Sequence, residues 1–401
     1  MKNLTTLPAL PNVASESVAV DTAAQSRSGQ LYFVQWLRVI LISLVVAHHA
    51  AQPYGPTGGE WPIDDPVSNN WLGAFFLFNS AFFMGFFFFI SGYFVSGSYD
   101  RKGGVAFVRD RVIRLGVPLV LVCLFLFGPI TYLGSGSQDG FVEFLLFRYI
   151  GQWQIEMGPL WFIAQLLALS IVYALLRGIA STQNGREPQV FSTPSNRAIL
   201  IYALALGIAG MIVRNFFQQD YWVDILGVIP AELVHAPQYW SLFLIGIIAG
   251  RGQWLEKLPS SLAPKWLAIG MAAFVIAVIT QPFMQIFPEG ILPDAMTLGG
   301  KQWGILWGLL EAFTCVGLIV GFSVLFRDRF SAPNKWMERL DQNVFGVYIF
   351  HVFILVGLQG AILNIDLPAL AKFAIVTIAG LIISFFNTTL LRLIPGVKRV
   401  I

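Results

Sequence analysis

The chain has 401 residues, of which 56% are hydrophobic and only 12% are charged. Globular proteins carry about 25% charged residues, so this composition excludes a soluble protein and indicates one that lies in the lipid bilayer. The formal net charge of +3 says little before it is divided between the two membrane sides, and we expect no nucleic-acid partner. The two cysteines, Cys123 and Cys315, lie in apolar runs, so we expect small core residues and neither a disulfide framework nor a metal site.

Apolar runs of about 20 residues recur along the chain and predict an all-α, polytopic membrane helix bundle. Residues 1–30 are polar without an apolar signal core, which predicts a disordered cytoplasmic tail. The transmembrane domain is then expected at 31–391 and a short basic cytoplasmic tail at 392–401. The ten predicted spans are 31–52, 72–96, 112–134, 159–178, 198–213, 237–253, 266–284, 304–327, 343–364 and 369–391.

Lys and Arg residues are divided unequally between the predicted loops. With the N-terminus inside, the cytoplasmic segments hold most of the 25, which by the positive-inside rule places both termini in the cytoplasm. The outer loops lean acidic, which suits binding of polyols or sugars but is also the charge that such sorting leaves behind. The outer segment 141–153 is apolar yet too short to cross, which predicts an interfacial or re-entrant helix. The outer cations are Arg148, Arg214, Lys301 and Lys372.

The first span contains three ionisable residues, Arg38, His48 and His49. Such groups are costly at membrane depth and normally face a bundle interior or a water-filled cavity. Eleven helical steps of about 100° bring Arg38 and His49 to within about 20° of one face, about 16 Å apart along the axis, whereas His48 lies about 80° away. The alternative is that the histidine pair lies at the headgroups while Arg38 snorkels. His235, in an outer loop, is expected to be incidental.

Two further ionisable residues lie inside predicted spans. Glu311 is expected at the depth of His49, and His351 at the depth of Arg38. Matched depths predict an outer layer of His49 with Glu311 and an inner layer of His351 with Arg38. A carboxylate on an imidazole would hold its tautomer and stabilise its cation. Alternatively, Glu311 pairs with a buried hydroxyl or backbone group, and His351 is a satisfied core histidine beside Tyr348.

The densest basic segment follows the second span. Arg111 and Arg114, three positions apart, share a helix face, and Arg109 is close by. Paired guanidinium groups suit phosphate because their planar forks bind oxyanions in a bidentate manner. The alternative is ordinary topology charge and attraction to anionic lipid. Ser91, at the inner end of the preceding aromatic span, permits close packing or a local break with Gly92.

Five short motifs lie in order along the predicted spans. They are WLRVILISLVVAHH with Arg38 and His49, FFFFISGYF, FVRDRVIRLGVP with Arg111 and Arg114, GPLWFI with Trp161, and GVYIFH with Tyr348 and His351. Together they resemble the acyltransferase 3 family of bacterial integral membrane acyltransferases, and within it the glucan biosynthesis protein C branch. The resemblance covers nearly all of 31–391, and its specificity comes from five motifs in the right order, since no single one is specific.

The resemblance implies transfer of an acyl group, usually acetyl or succinyl, from cytoplasmic acyl-CoA to a hydroxyl of an extracytoplasmic or membrane-presented carbohydrate. The protein would then lie in the cytoplasmic (inner) membrane of a bacterium. His49 would be the catalytic base and Arg38 its companion, although His48 doubles the histidine and leaves two candidates. By the same resemblance, Arg111 and Arg114 would form the donor site, and we expect Arg109 and Ser91 beside them. We expect Trp161 and Tyr348 in the substrate channel, and the matched depths add Glu311 and His351 to the catalytic residues.

A secondary transporter that exports an anionic or sugar-like solute is the competing hypothesis. In it, the intramembrane Arg, His and Glu would form a proton relay. Against it stand the missing inverted repeat and the basic inner pair next to an Arg-His helix. A third hypothesis, a membrane sensor or assembly partner, requires no buried charges and so leaves these residues without a role.

Overall fold

A computed structural model describes residues 31–56, 61–135, 137–183, 191–286 and 301–401, and the structural statements below concern these ranges. The predicted tail at 1–30 lies outside them. The helices are α1 (Tyr32–Ala51), α2 (Trp71–Lys102), α3 (five consecutive segments, Gly104–Arg111, Val112–Gly116, Val117–Val122, Cys123–Phe127 and Gly128–Gly134), α4 (Phe141–Glu143 continued by Phe144–Ile150), α5 (Trp161–Gln183), α6 (Asn196–Phe216), α7 (Ala236–Gly252), α8 (Trp254–Lys257), α9 (Leu262–Ile286), α10 (Lys301–Arg329), α11 (Lys335–Asp341), α12 (Val344–Ile362) and α13 (Ala369–Leu391). Strands β1 (Trp222–Ile225) and β2 (Ile229–Glu232) form an antiparallel hairpin between α6 and α7.

The prediction of an all-α, polytopic bundle is confirmed. Within the described ranges, nine helices have at least 18 residues and are apolar enough to cross a membrane: α1, α2, α3, α5, α6, α9, α10, α12 and α13. Helix α4 is short, in keeping with the expectation that 141–153 does not cross.

The remaining predicted span, 237–253, corresponds to α7, which has 17 residues and is therefore about 25 Å long. Its last turn lies at the inner end of the bundle, where Arg251 donates a hydrogen bond to the Tyr173 hydroxyl (3.2 Å) and lies 3.7 Å from the Asp100 carboxylate. We call this side inner because the basic loops predicted to be cytoplasmic lie there. The length and contacts of α7 fit a crossing of the hydrocarbon core.

Glycines hold α7 directly against α2. Gly246 and Gly250 are four residues apart, so they lie on one face of α7, and a Cβ atom on either would collide with a backbone carbonyl of α2, that of Phe89 or Tyr93. Gly92 makes the reciprocal approach to the Phe243 carbonyl. Small residues allow such backbone contact in membranes, where packing rather than the hydrophobic effect holds helices together.

Helix α3 contains two wide, π-helical turns, Val112–Gly116 and Cys123–Phe127. Each contains the residue four positions before a proline, Pro118 or Pro129. Because proline has no N–H to donate to that carbonyl, the regular ladder is interrupted there. The first wide turn contains Arg114, so the local geometry of the basic pair is set by a proline in the span.

Candidate active site

A cavity of about 460 Å³ opens at the inner end of the bundle, between α1, α2, α3, α5, α11 and α12. We call it the inner cavity. Its polar lining includes the cations Arg38, Arg111, Arg114, Arg392 and Lys398, the carboxylate of Asp341, and Ser91, Gln342 and Tyr348. Its apolar lining includes Ile42, Phe87, Ile90, Phe162 and Leu166. The structure thus brings together five residues that the sequence singled out from four different helices: Arg38, Ser91, Arg111, Arg114 and Tyr348.

The cations of the inner cavity are only partly neutralised. Arg38 lies 3.0 Å from Asp341, whose carboxyl pKa is raised by burial against the opposing effect of Arg38. Arg114 lies 3.6 Å from Asp110, which also pairs with Lys102 at 2.8 Å. Among the described residues, five cationic side chains and one carboxylate side chain line this space, which favours an anionic ligand.

The Arg111 guanidinium packs on an aromatic ring and lines the inner cavity. Its Cζ lies 5.1 Å from the centre of the Phe107 ring, and its Nε atom is buried without a hydrogen-bond partner among the described residues. Buried N–H groups in proteins are almost always paired, so this N–H is suited to donate to an acceptor in the cavity. Phosphate oxygens are suitable acceptors.

Arg109 lies apart from this group. It lines a separate, open depression together with Lys102 and is not in the lining of the inner cavity. The reason is geometric, because a two-residue separation from Arg111 corresponds to about 200° around a helix.

A row of four aromatic rings leads from the inner cavity to the outer loop after α1. Tyr348 lines the cavity, and its ring centre lies 5.9 Å from that of His351. His351 lies 5.2 Å from His49, which stacks on Trp61 at 5.3 Å. We call these four residues the aromatic row. The predicted inner layer of His351 with Arg38 is therefore wrong, since the His351 ring lies next to His49.

Hydrogen bonds hold His49 and His351 in the same tautomer. His49 Nδ1 lies 2.6 Å from the Oε1 of Gln52, and His351 Nδ1 lies 2.7 Å from the carbonyl oxygen of Tyr348. Both oxygens accept hydrogen bonds, so each neutral imidazole carries its proton on Nδ1 and presents Nε2 as an acceptor. His351 Nε2 is fully buried without a partner in the described part of the chain.

Gln359 fixes the position of the His49 backbone. Its amide nitrogen donates to the carbonyl oxygens of His49 (3.1 Å) and Ala50 (3.3 Å), and its oxygen accepts from Trp61 Nε1 at 2.7 Å. A single buried amide therefore joins α12, the end of α1 and the outer loop around the histidine.

His48 has apolar surroundings instead. Its ring packs against Phe76 at 5.0 Å and Phe83 at 5.3 Å, and its Nδ1 is buried without a hydrogen-bond partner within the described ranges. Of the two adjacent histidines, His49 is thus the one with an oriented ring in the aromatic row.

Glu311 lies in a different group of charges, so the predicted outer layer of His49 with Glu311 is wrong. Its Oε2 accepts from Arg214 at 2.6 Å and its Oε1 lies 3.0 Å from His235 Nε2. His235 Nδ1 in turn lies 2.5 Å from Glu232 on β2. We call Arg214, Glu232, His235 and Glu311 the outer charge cluster. Depth along a span cannot reveal this arrangement, because it sets neither the rotation of a helix nor the path of the hairpin.

His235 is therefore a buried structural residue, and the expectation that it is incidental is wrong. Burial by itself lowers the pKa of an imidazole, but the carboxylates of Glu232 and Glu311 outweigh it and raise the pKa of His235 to about 10. The cluster then contains two cations and two carboxylates and is neutral. It joins α6, β2, α7 and α10 at the outer end of the bundle.

Other outer carboxylates are also engaged in ion pairs. Arg148 lies 2.7 Å from Asp139, and the buried Lys372 lies 2.8 Å from the buried Asp65. Some of the acidic residues in the outer loops therefore have a structural role. This favours the explanation that needs no ligand over the binding of polyols or sugars.

Trp161, predicted in the substrate channel, is not in the lining of the inner cavity. Its ring stacks on Tyr239 at 5.4 Å and meets the edge of Trp222 at 5.6 Å. The neighbouring Phe162 lines the cavity and packs on Tyr348 at 5.7 Å.

Several of the residues that lie near the site were not predicted from the sequence. Gln52 is one helical turn after His49, which is a detectable spacing, and Asp341 closely precedes the span of His351. Gln359 offered only its polarity inside an apolar span. For Arg214 and Glu232 the sequence contained no sign of their joint role.

A family model described as an acyltransferase domain matches residues 31–388 of the chain. The match spans the first helix to the last and includes the aromatic row, the outer charge cluster and the part of the inner cavity formed by residues up to Tyr348. Among curated proteins, no sequence matches this chain significantly.

Proposed function

This chain belongs to the acyltransferase 3 family and is a multi-pass membrane acyltransferase, and from that premise we propose its donor, its acceptor and its base. The donor is a cytoplasmic acyl-CoA, with acetyl or succinyl as the acyl group. The acceptor is a hydroxyl of an extracytoplasmic carbohydrate, so the enzyme is an O-acyltransferase of the bacterial inner membrane.

The single observation that carries this proposal is the cationic inner cavity that ends at the aromatic row. Arg111 and Arg114 line its wall on α3, and Tyr348 connects it to the two oriented imidazoles. Coenzyme A carries three phosphate groups, so a cavity with several guanidinium groups suits it. The thioester end would then extend from the phosphates towards His351 and His49.

His49 is proposed as the general base. Its Nε2 removes the proton of the acceptor hydroxyl while that oxygen attacks the thioester carbonyl, and the new ester forms as the carbon–sulfur bond breaks. The imidazolium then returns the proton to the departing thiolate, which leaves as the free thiol of coenzyme A. Gln52 keeps Nδ1 protonated throughout, so Nε2 stays available as the base.

Arg38 and His351 are proposed to support this step. Arg38 adds positive charge near the mouth of the cavity, and its pairing with Asp341 limits where its guanidinium can lie. His351 presents a second Nε2 beside His49, positioned to hydrogen-bond the reacting hydroxyl or a bound water. Glu311 has no place in this step, because both of its oxygens are engaged in the outer charge cluster.

The test is acyl transfer by the purified full chain in lipid nanodiscs. Radiolabelled acetyl-CoA or succinyl-CoA is supplied with candidate glycans, and label in the glycan is measured. His49→Ala should lower turnover about 100-fold to 10,000-fold, because a general base contributes that much. The matched variant His48→Ala changes the neighbouring ring in an apolar setting and should keep most of the activity.

The competing transporter hypothesis predicts a different result in the same preparation. A carrier reconstituted in vesicles would show counterflow of an anionic or sugar-like solute without any label in a glycan. Counterflow without transfer, or full transfer activity in His49→Ala, would contradict the proposed function.

A further inference from the structure

The segment that follows α13 returns to the inner cavity. After Leu391 the chain turns at Gly396, whose φ of 90° is in the left-handed region that favours glycine. The following turn, Val397–Arg399, brings Lys398, Val400 and Ile401 into the lining of the cavity. Ile401 also packs against the main hydrophobic core.

This segment contributes both charge and apolar surface. Arg392 and Lys398, from the segment after α13, line the inner cavity together with Arg111 and Arg114 from α3. Arg392 donates to the neutral amide of Gln342 at 3.4 Å, so this contact leaves its charge uncompensated, unlike Arg38, which faces Asp341. An anion in the cavity would therefore have cations available from two separate segments of the chain.

We propose that residues 392–401 form a wall of the donor site and that Arg392 and Lys398 bind phosphate groups of the donor. This inference rests on the proposed function, because it takes the occupant of the inner cavity to be an acyl-CoA. It assigns to the basic tail a role beyond membrane topology. Arg111 and Arg114 hold the donor from α3, while Arg392 and Lys398 hold it from the segment after α13.

Binding of unmodified coenzyme A to the purified full chain tests the proposal, with pantetheine as a competitor that lacks the phosphates of the nucleotide part. Lys398→Gln and Arg392→Gln should each raise the Kd for coenzyme A about fivefold, the loss expected for one partly exposed ion pair. Neither variant should change the inhibition constant of pantetheine. Rising salt should weaken the wild type more than the double variant, since exposed ion pairs are screened.

Lys335→Gln is the matched control. Lys335 is an exposed lysine on the same inner side, outside the cavity lining, so its loss removes the same charge and should change the Kd less than twofold. Equal effects of Lys398→Gln and Lys335→Gln, or equal weakening of coenzyme A and pantetheine, would overturn the role of the tail while the proposed function stands. If the wild type fails to bind coenzyme A at all, both the role of the tail and the proposed donor are wrong.

Discussion

The inner cavity and the outer charge cluster contain the same kinds of residue but are arranged in opposite ways. In the outer charge cluster, the Arg214 and Glu311 side chains are 4% and 3% exposed, and each cation has a carboxylate. In the inner cavity, the Arg38 side chain is 37% exposed, and in the described part of the chain five cationic side chains share one lining carboxylate side chain. Charge inside a membrane protein is therefore not by itself a sign of catalysis. The two regions differ in the ratio of positive to negative charges and in whether a ligand can reach these charges.

The two arrangements have different energetic consequences. A buried charge without a partner is very costly, so a closed and neutral group is needed where no ligand enters, and its loss should affect the fold. An open group with excess positive charge is tolerated because water or an anionic ligand reaches it. Variants in the outer region should then change stability, and variants in the inner region should change the kinetics.

Removal of Glu311 should have the largest effect on stability. Glu311→Leu leaves Arg214 and His235 with too little negative charge, which should destabilise the protein by about 3–5 kcal/mol. Thermal unfolding and folded yield in detergent measure this. Glu338→Gln, at an exposed position on α11, should stay within about 0.5 kcal/mol of wild type. A stable but inactive Glu311→Leu protein would place the cluster in the reaction instead.

Loss of the basic pair should act on the donor rather than on the fold. Arg111→Gln combined with Arg114→Gln should raise the KM for acyl-CoA at least about 30-fold, because each charge-assisted hydrogen bond contributes about 1–2 kcal/mol. Steady-state kinetics and unfolding temperature are compared with Arg109→Gln. Arg109 lies outside the inner cavity, so its loss should cost less than about twofold. An equal effect of Arg109→Gln would mean that the cavity does not define the donor site.

Gln52 should affect the rate through the tautomer of His49. Gln52→Leu should lower kcat about tenfold at unchanged KM, because it removes the hydrogen bond that orients the His49 imidazole. Gln52→Glu keeps an oxygen acceptor for Nδ1 and should retain most of kcat, with a pH profile shifted to higher pH because a carboxylate favours the imidazolium. If Gln52→Glu is as slow as Gln52→Leu and its pH profile is not shifted, Gln52 contributes packing and does not control the tautomer of His49.

The smallest effect should be the pH dependence of the outer charge cluster. The ordinary pKa of His235 is 6.5 and its folded value is about 10. Above pH 6.5 the unfolded chain gives up this proton while the folded chain keeps it, so stability declines as pH rises towards and through 10. We expect the Tm to fall by a few degrees between pH 6.5 and 8.5. His235→Gln should flatten this slope, and an identical slope in that variant would contradict the assignment.

The parts of the fold that depend on local pattern were predictable. Span length and apolarity are properties of each segment alone, so the helices agree with the predicted spans. The shared face of Arg38 and His49 was also correct, since both contact the α11–α12 region, at Asp341 and His351 respectively. The family resemblance was predictable for the same reason, because its motifs are short and lie within single spans.

The parts that depend on contacts between helices were not predictable. Depth alone paired Glu311 with His49, whereas the rotation of α10 and the β-hairpin give its carboxylate to Arg214 and His235. Arg109 and Arg111 are neighbours in sequence but lie at different surfaces.

The sequence by itself determined that this protein is a helical membrane bundle of the acyltransferase 3 family with an Arg and a His on one face of its first helix. The bundle and the shared face follow from hydrophobicity and helical periodicity, which act within about 20 residues, and the family follows from short motifs that lie within single spans. Only the tertiary structure decided which charges are sealed in a neutral group and which line an open cavity. That division depends on how helices rotate and tilt against one another, which is set by packing between segments far apart in the chain.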